Sequence, residues 1–492
     1  MLKENHEMTG TVKWYDGDKG FGFINPDQSN KDVFLHRTEL QTHENGYVNN
    51  GDRLTFKVKK RKKGPAALDV KRVVQEIELP SFNQEKMDGG DVRVRKDSMK
   101  SSKKFNNLGL KSKLLKGIKD AGYENPTPIQ AKAIPVVLEG RDVLGCARTG
   151  TGKTAAFAVP TLQRLMKNSE HKHQSNKNNR SENQFRRKIR TLAVLPTREL
   201  AIQINESFKT YGKHTGLKST IIYGGVSQNP QVRKLRQGVD IVVATPGRLL
   251  DLMRQGYVDL SNVEVLILDE CDRMLDMGFI RDIRTIVKKI PKKNRQTLLF
   301  SATIPKEIIK LANDIQHNPF EINISPEKPI LENIEQVVFL VSKQRKQALL
   351  QNLLSNSEVK KALVFTRTKR GANRVVQRLK RKRVSAQPIH GDKSQNARQR
   401  ALKNFRTGRI RVLVATDVAA RGLDVDDITH IFQYDLPDVP KTYLHRIGRT
   451  ARAGAGGVAI SFCEKSARQK LKDIEKIIHM KIKTVKNHPF KA

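Results

Sequence analysis

The sequence predicts a small β-barrel followed by two α/β lobes, each built on a parallel sheet. Three observations carry that prediction. Residues 8–77 alternate in short strands separated by Gly, Asn and Asp turns. From about residue 104 onward, short apolar runs alternate with helical patterns, the signature of parallel α/β units. A break near Ser325 to Pro329 divides this second part in two, as a hinge would.

The bulk numbers limit the partners. The chain has 492 residues, with 93 Lys plus Arg against 50 Asp plus Glu, a formal net charge of +43. That length accommodates three or so domains at ~150 residues each. A charge this large repels itself without counterions, so it points to a polyanion, most simply nucleic acid. No apolar run reaches the ~18 residues of a membrane span, and no signal peptide is evident. The three cysteines, Cys146, Cys271 and Cys463, are odd in number and widely spaced. That argues against a disulfide scaffold and against a zinc site, and it fits a reducing cytoplasm.

The first domain opens with Lys13 and Trp14, followed by Lys19 to Ile24 and Val33 to His36. Phe21 and Phe23 share one strand face, as do Phe34 and His36. Ile24, Val33 and Leu35 fill the other. Alternating Phe usually marks a core, but both faces of so small a barrel cannot be interior. The aromatics are therefore expected outside, as a platform for stacked bases. Residues 78–103 are polar and charged, with Gly89 and Gly90 among them, and read as a linker.

The first lobe is expected over 104–322. Val143 and Leu144 begin a buried strand that feeds the run Ala147 to Thr154, and an apolar helix, Ala155 to Leu165, follows. Asn168 to Arg190 reads as a long polar loop; His171 and His173 within it are taken as solvated rather than metal-ligating. Apolar runs then end repeatedly in polar, Gly-rich segments: before Pro196, Thr245, Asp269, Ser301, Thr366 and Thr416. Each places those residues at the carboxyl edge of a sheet, where α/β folds bind ligands. The second lobe is expected over 333–480, with a helical stretch from about Glu464 to Ile482 and a short basic tail at 481–492.

The segment Ala147 to Thr154 has the spacing of a phosphate loop, with Ala147 in place of the first Gly. Gly150 and Gly152 let backbone amides close around phosphate oxygens. Lys153 would reach the β- and γ-phosphates, and the Thr154 hydroxyl would ligate Mg2+. The run Val265 to Leu268 delivers Asp269 and Glu270 to a strand end. Asp269 would hold the metal, and Glu270 would act as general base toward water. Arg449 and Arg452 are spaced i, i+3, which on a helix puts two guanidinium forks on one face toward a γ-phosphate. Far in sequence from Lys153, they imply a nucleotide held between two lobes.

From about Phe105 to Ile482 the chain resembles a DEAD-box RNA helicase of superfamily 2, with two RecA-like lobes. Gly122 to Gln130 is similar to that family's Q motif. The resemblance implies that Gln130 reads the adenine edge, Tyr123 stacks on the base and Phe105 is the upstream aromatic. Ala147, Thr149, Gly150, Thr151 and Gly152 would line the phosphates, and Asp424 would contact ribose. Asp272, Ser301, Thr303 and His445 would couple hydrolysis to unwinding. Pro196, Thr197, Arg198, Gly225, Thr245 and Arg248, with Thr366, Arg367 and Thr416, would grip the RNA backbone. Departures are few: Cys271 for the usual Ala, Arg148 where Gln is common, and Ala451 where Gly is common. Cys271 is expected to pack only.

Residues 8–77 resemble a cold-shock domain, a barrel of the OB type. That implies RNA contact through Lys13, Trp14, Phe21, Phe23, Phe34 and His36. Arg37 stands where the family often has another aromatic, which exchanges stacking for charge and implies a steeper salt dependence.

The expected activity is ATP-dependent, local unwinding of structured RNA, with ATP and Mg2+ as cofactors and the barrel adding single-strand affinity. The expected enzyme is monomeric and cytoplasmic, with structured and single-stranded RNA as partner and no membrane. Two alternatives stand beside it: an ATP-independent RNA chaperone, and an ATP-gated RNA clamp. A role in the cold follows only by analogy with the cold-shock resemblance.

Overall fold

The structure is a computed structural model that describes residues 7–17, 19–29, 31–40, 48, 51–61, 64–72, 104–147, 150–175, 187–324, 333–420, 425, 427–451, 456–486 and 488–490. The linker expected at 78–103 and the hinge at 325–329 lie outside the described residues.

Strands β1 (Glu7–Asp16), β2 (Phe21–Pro26), β3 (Val33–His36), β4 (Arg53–Arg61) and β5 (Gly64–Arg72) close a barrel in the order β1-β2-β3-β5-β4. Strict alternation decides which face is inside. Ile24, Val33 and Leu35 are fully buried with Leu54 and Phe56, while Phe21, Phe23 and Phe34 are only half-buried. Gly22 lets β1 pass close: a Cβ there would meet Trp14 O at 2.2 Å, beside the register shift between Val12 and Trp14.

The first lobe is a parallel sheet of β6 (Val143–Ala147), β7 (Thr191–Val194), β8 (Ser219–Ile222), β9 (Ile241–Ala244), β10 (Val265–Leu268), β11 (Gln296–Ser301) and β12 (Phe320–Ile324). Its order is β12-β6-β11-β10-β7-β9-β8. The apolar runs are explained by helices on both faces. Val265 and Ile267 enter one core, and Leu266 and Leu268 enter the other.

The second lobe repeats the plan with β13 (Ile334–Leu340), β14 (Ala362–Phe365), β15 (Ala386–Ile389), β16 (Val412–Ala415), β17 (His430–Gln433), β18 (Gly457–Cys463) and β19 (Lys483–Val485), in the order β15-β16-β14-β17-β18-β13-β19.

Two expectations need correction. The stretch 481–492 is not simply a tail. β19 pairs with β13 at the sheet edge, and Phe490 is buried in the lobe's core. The helix after the phosphate loop runs from Lys153 to Ser175, so 168–175 are helical rather than loop; 176–186 lie outside the described residues. Polar composition suggested a loop there, but Glu, Lys and Gln also have good helix propensity.

Candidate nucleotide and nucleic-acid site

The phosphate loop leaves β6 at Ala147 and enters its helix at Lys153. Gly150 (φ 83°) and Gly152 (φ 92°) take the left-handed backbone that side chains resist. Gly152 is needed twice over, because a Cβ would lie 2.3 Å from Gln130 Nε2. Gln130 is buried in the first turn of the helix Pro128–Leu138. Its Oε1 accepts from Thr127 N at 2.9 Å, and its Nε2 donates to Gly152 O at 3.1 Å. The glutamine expected to read adenine thus also braces the phosphate loop.

Lys153 is 5% exposed, and its Nζ has no hydrogen-bond partner among the described residues. Asp269 Oδ1 lies 3.8 Å away, an ion pair too long to be a hydrogen bond. A buried ammonium left so underbonded calls for an anion, and phosphate oxygens fit. Thr154, half-buried beside it, and Asp269 supply hard oxygen donors suited to Mg2+. Burial pushes the Asp269 carboxyl up to about 6, against the pull of Lys153.

Glu270 sits at a sharp corner. It has φ 55° and ψ 48°, between β10 and the short helix Cys271–Asp276. Its N–H donates to Asp269 Oδ1 at 2.8 Å. Arg273 Nη1 donates to its Oε2 at 2.6 Å, and both side chains are buried. Asp272 turns the other way, toward β11: Asp272 N donates to Ser301 Oγ at 3.1 Å, and Thr303 N and Oγ1 each donate to Asp272 Oδ2 at 3.0 Å. Of the four residues expected to couple hydrolysis to unwinding, Asp272, Ser301 and Thr303 are thus hydrogen-bonded together. Cys271 is fully buried, its thiol points to Leu268 O at 3.6 Å, and burial raises its pKa, so it packs as an apolar residue.

The second lobe faces this corner. A cleft of about 240 Å³ is lined by Arg273 and Asp276 on one side and by Asp417, His445, Arg446 and Arg449 on the other. Burial lowers the His445 pKa, helped by the nearby positive charge of Arg273. The expected arginine pair is revised. The helix Lys441–Ile447 ends before Arg449, which lies in the following turn with its Nε donating to His445 O at 3.3 Å. Arg452, with Thr149 and Asp424, lies outside the described residues. Across the lobes, Glu199 Oε1 accepts from Gln395 Nε2 and from Arg398 Nη2, each at 2.9 Å.

Family models match all three parts of the chain: "DEAD/DEAH box helicase" over 127–311, "Helicase conserved C-terminal domain" over 345–454, and "'Cold-shock' DNA-binding domain" over 8–73. The DEAD-box ATP-dependent RNA helicase CshA of Bacillus cereus is 41% identical over 378 residues, 77% of this chain and 69% of that protein. The chain belongs to the DEAD-box family of ATP-dependent RNA helicases. The Streptococcus pneumoniae CshA is 42% identical over 78% of this chain and 70% of its own length. Among solved structures, S. cerevisiae Dbp5 bound to RNA and ADP BeF3 matches with TM-score 0.67 and 31% identity, covering 78% of this chain and 96% of Dbp5. Mss116 bound to ssRNA and UDP-BeF matches with TM-score 0.68 and 29% identity, over 80% of this chain and 81% of that one.

In this DEAD-box helicase the two aromatics expected near adenine differ in access. Tyr123 is 43% exposed and lies 6.1 Å from the Tyr211 ring, whereas Phe105 is buried in the lobe's core. The residues assigned to the RNA grip cluster on the first lobe. Arg198 lies so close over Gly225 that a Cβ there would meet its Nη1 at 2.1 Å, and Gly225 has φ 78°. Arg248 Nη1 donates to Val226 O at 3.3 Å. Pro196, Thr197 and Thr245 are buried at the adjoining strand ends. In the second lobe Arg367 is exposed, while Thr366 and Thr416 are buried.

The helicase's barrel presents its aromatics as one surface. Trp14 lies 5.6 Å from both Phe21 and Phe23, and Phe34 lies 6.0 Å from Phe21 and 6.4 Å from His36. Lys13 is exposed beside them, paired with Asp32 at 2.6 Å. Among the described residues no helix is long and apolar enough to cross a membrane.

Three participants were missed from sequence: Glu199, Arg273 and Arg446. Each belongs to a segment whose neighbours were singled out. What makes them matter is a partner distant in sequence, or a backbone corner, and neither leaves a local pattern.

Proposed function

We propose that this enzyme remodels structured RNA by local strand separation, with ATP hydrolysed between the two lobes and single-stranded RNA tethered by the barrel. The observation that carries the reading is Lys153, a buried ammonium with no hydrogen bond among the described residues, 3.8 Å from Asp269 at the strand end that also carries Glu270. Lys153 binds the terminal phosphates, and Gln130 and Tyr123 bind adenine. Thr154 and Asp269 are the residues that would hold Mg2+, which when bound neutralises charge on the phosphate oxygens. Glu270 orients and deprotonates the attacking water. Arg449, with Arg452, stabilises charge on the transferred phosphoryl group. Asp272, Ser301, Thr303 and His445 link that chemistry to the RNA grip. The grip uses phosphates and backbone, so it holds RNA without reading sequence.

Glu270→Gln tests the core of this. Strand displacement and RNA-stimulated ATP turnover are expected to fall by at least about 100-fold, in the range general-base catalysis supplies. Unchanged unwinding would favour an ATP-independent chaperone.

The barrel's role has its own test. Stacking on its aromatics is worth ~1–3 kcal/mol per base. A linker over residues 78–103 would hold tethered RNA near the core at up to about millimolar effective concentration. Deleting residues 1–103 is expected to raise the KM for RNA with little change in kcat at saturation. An unchanged KM at physiological salt would refute the tether. Cytoplasmic location fits three widely spaced cysteines that form no disulfide framework.

A further inference from the structure

Glu270 carries a demand that its assigned chemistry does not explain. It is the hinge between β10 and the following helix, and a residue other than Gly in the left-handed region resists that conformation. At such a corner the side chain has no regular helix or strand to define its direction. Arg273 supplies the direction. It stands three residues on, in the first turn of the same short helix, and binds Glu270 Oε2 through Nη1 at 2.6 Å. The two side chains are 8% and 4% exposed, so water competes little for the pair.

Arg273 also touches the far side. It lines the cleft shared with His445 and Arg449 of the second lobe. The charged groups around it are Glu270, Asp272 and Asp276 from its own lobe and Asp417, Lys441, His445, Arg446 and Arg449 from the other. Its guanidinium therefore lies between the carboxylate and the lobe that must close.

We propose that Arg273 is a positioning residue: it fixes one oxygen of the Glu270 carboxylate so that the other is presented to the attacking water, and it makes that alignment respond to the approach of the second lobe through His445. The inference rests on Glu270 acting as the base. It requires no proton transfer by Arg273, which stays charged throughout.

The test uses the full chain with ATP and saturating single-stranded RNA. Arg273→Ala is expected to lower kcat on the order of 10- to 100-fold, as a misplaced catalytic group does, with KM for ATP and for RNA within about two-fold of the parent. Arg273→Lys restores part of the loss, because it returns the charge without the planar fork. A purely structural role would not produce a kcat effect without a KM effect. It would also slow an enzyme that already lacks the base. Adding Arg273→Ala to Glu270→Gln is therefore expected to cause no further loss, and a further loss as large as that in the parent would overturn the proposal. So would parental kcat in Arg273→Ala. If Arg273→Ala does not fold, Arg273→Gln takes its place in both comparisons. Parental turnover in Glu270→Gln alone would remove the base assignment and this inference with it. Loss in Glu270→Gln with parental kcat in the Arg273 variants would remove only the inference.

Discussion

At the carboxyl edge of the first sheet a lysine and three carboxylates converge: Lys153, Asp269, Glu270 and Asp272. Across the cleft the second lobe presents Arg446 and Arg449 together with Asp417, Lys441 and His445. The two lobes share a seven-stranded parallel plan, yet their polar groups are satisfied differently. Lys153 Nζ has no hydrogen bond among the described residues. Arg446 is saturated: it donates to Asp417 through Nε and Nη2 and to Gln433 Oε1 and Asp435 O through Nη1, and it lies 4.9 Å over the Phe365 ring. Neighbouring arginines in one motif thus do different work. Arg446 holds the second lobe together, and Arg449 remains to face the first. Neither lobe is a site alone.

The largest expected effect breaks that division of labour. Arg449→Ala should lower kcat by about 10³-fold or more, the range seen when an arginine finger is supplied or withheld. ATP binding to the first lobe should be nearly unchanged, and so should thermal stability. Arg446→Ala should do the reverse in kind. It takes their partner from the part-buried Asp417, from the buried Gln433 and from Asp435 O, which costs about 1–3 kcal/mol as hydrogen bonds left unmade do. Thermal denaturation separates the two variants; equal loss of stability would undo the distinction.

A smaller effect is expected at the contact that joins the lobes. Glu199 is buried and receives both Gln395 and Arg398. Arg398 is itself largely buried, and its pKa is lowered by that burial against the pull of Glu199. Glu199→Gln keeps the shape and removes the charge. Weakening a charge-assisted bond costs about 1.5–3 kcal/mol, or roughly 10- to 100-fold in the closing equilibrium. RNA-stimulated turnover should fall by that factor while RNA-independent turnover stays put. An equal fall in both would show that Glu199 supports the first lobe rather than its docking.

Much of this was legible in the chain. β10 could be read from four apolar residues because helices cover both its faces, and the acids after it could then be placed at a strand end. The barrel's outward aromatics could be read because period-two alternation leaves only one face for a core. Three features were not legible. The end of the helix at Ile447 removed the premise that Arg449 and Arg452 share a helical face, since helix ends depend on capping and packing rather than on spacing. β19 looked like a tail because three residues at an edge, two of them exposed, bear no hydrophobic pattern. The Arg273 contact depends on the left-handed corner at Glu270, which no sequence pattern announces.

The smallest expected effect is a difference in how the lobes respond to acid. His430, in β17 of the second lobe, is 3% exposed and stacks on Phe432; burial, aided by Arg411, lowers its pKa from 6.5 to about 4. The unfolded chain therefore takes up a proton that the folded lobe refuses. The stability that neutral His430 allows is fully present above pH 6.5 and is lost as pH falls toward 4. The slope is at most about 1.4 kcal/mol per pH unit. Asp269, in the first lobe, runs the other way. Its pKa is raised from 3.8 to about 6, so the folded lobe takes the proton first and gains stability as pH falls through that window. Hydrogen exchange between pH 7 and 5, without nucleotide or Mg2+, should thus show β17 losing protection while β10 holds or gains it. His430→Leu should flatten the response of the second lobe alone. If both lobes soften together, or if His430→Leu leaves the acid response intact, the two lobes are not set apart by these buried groups.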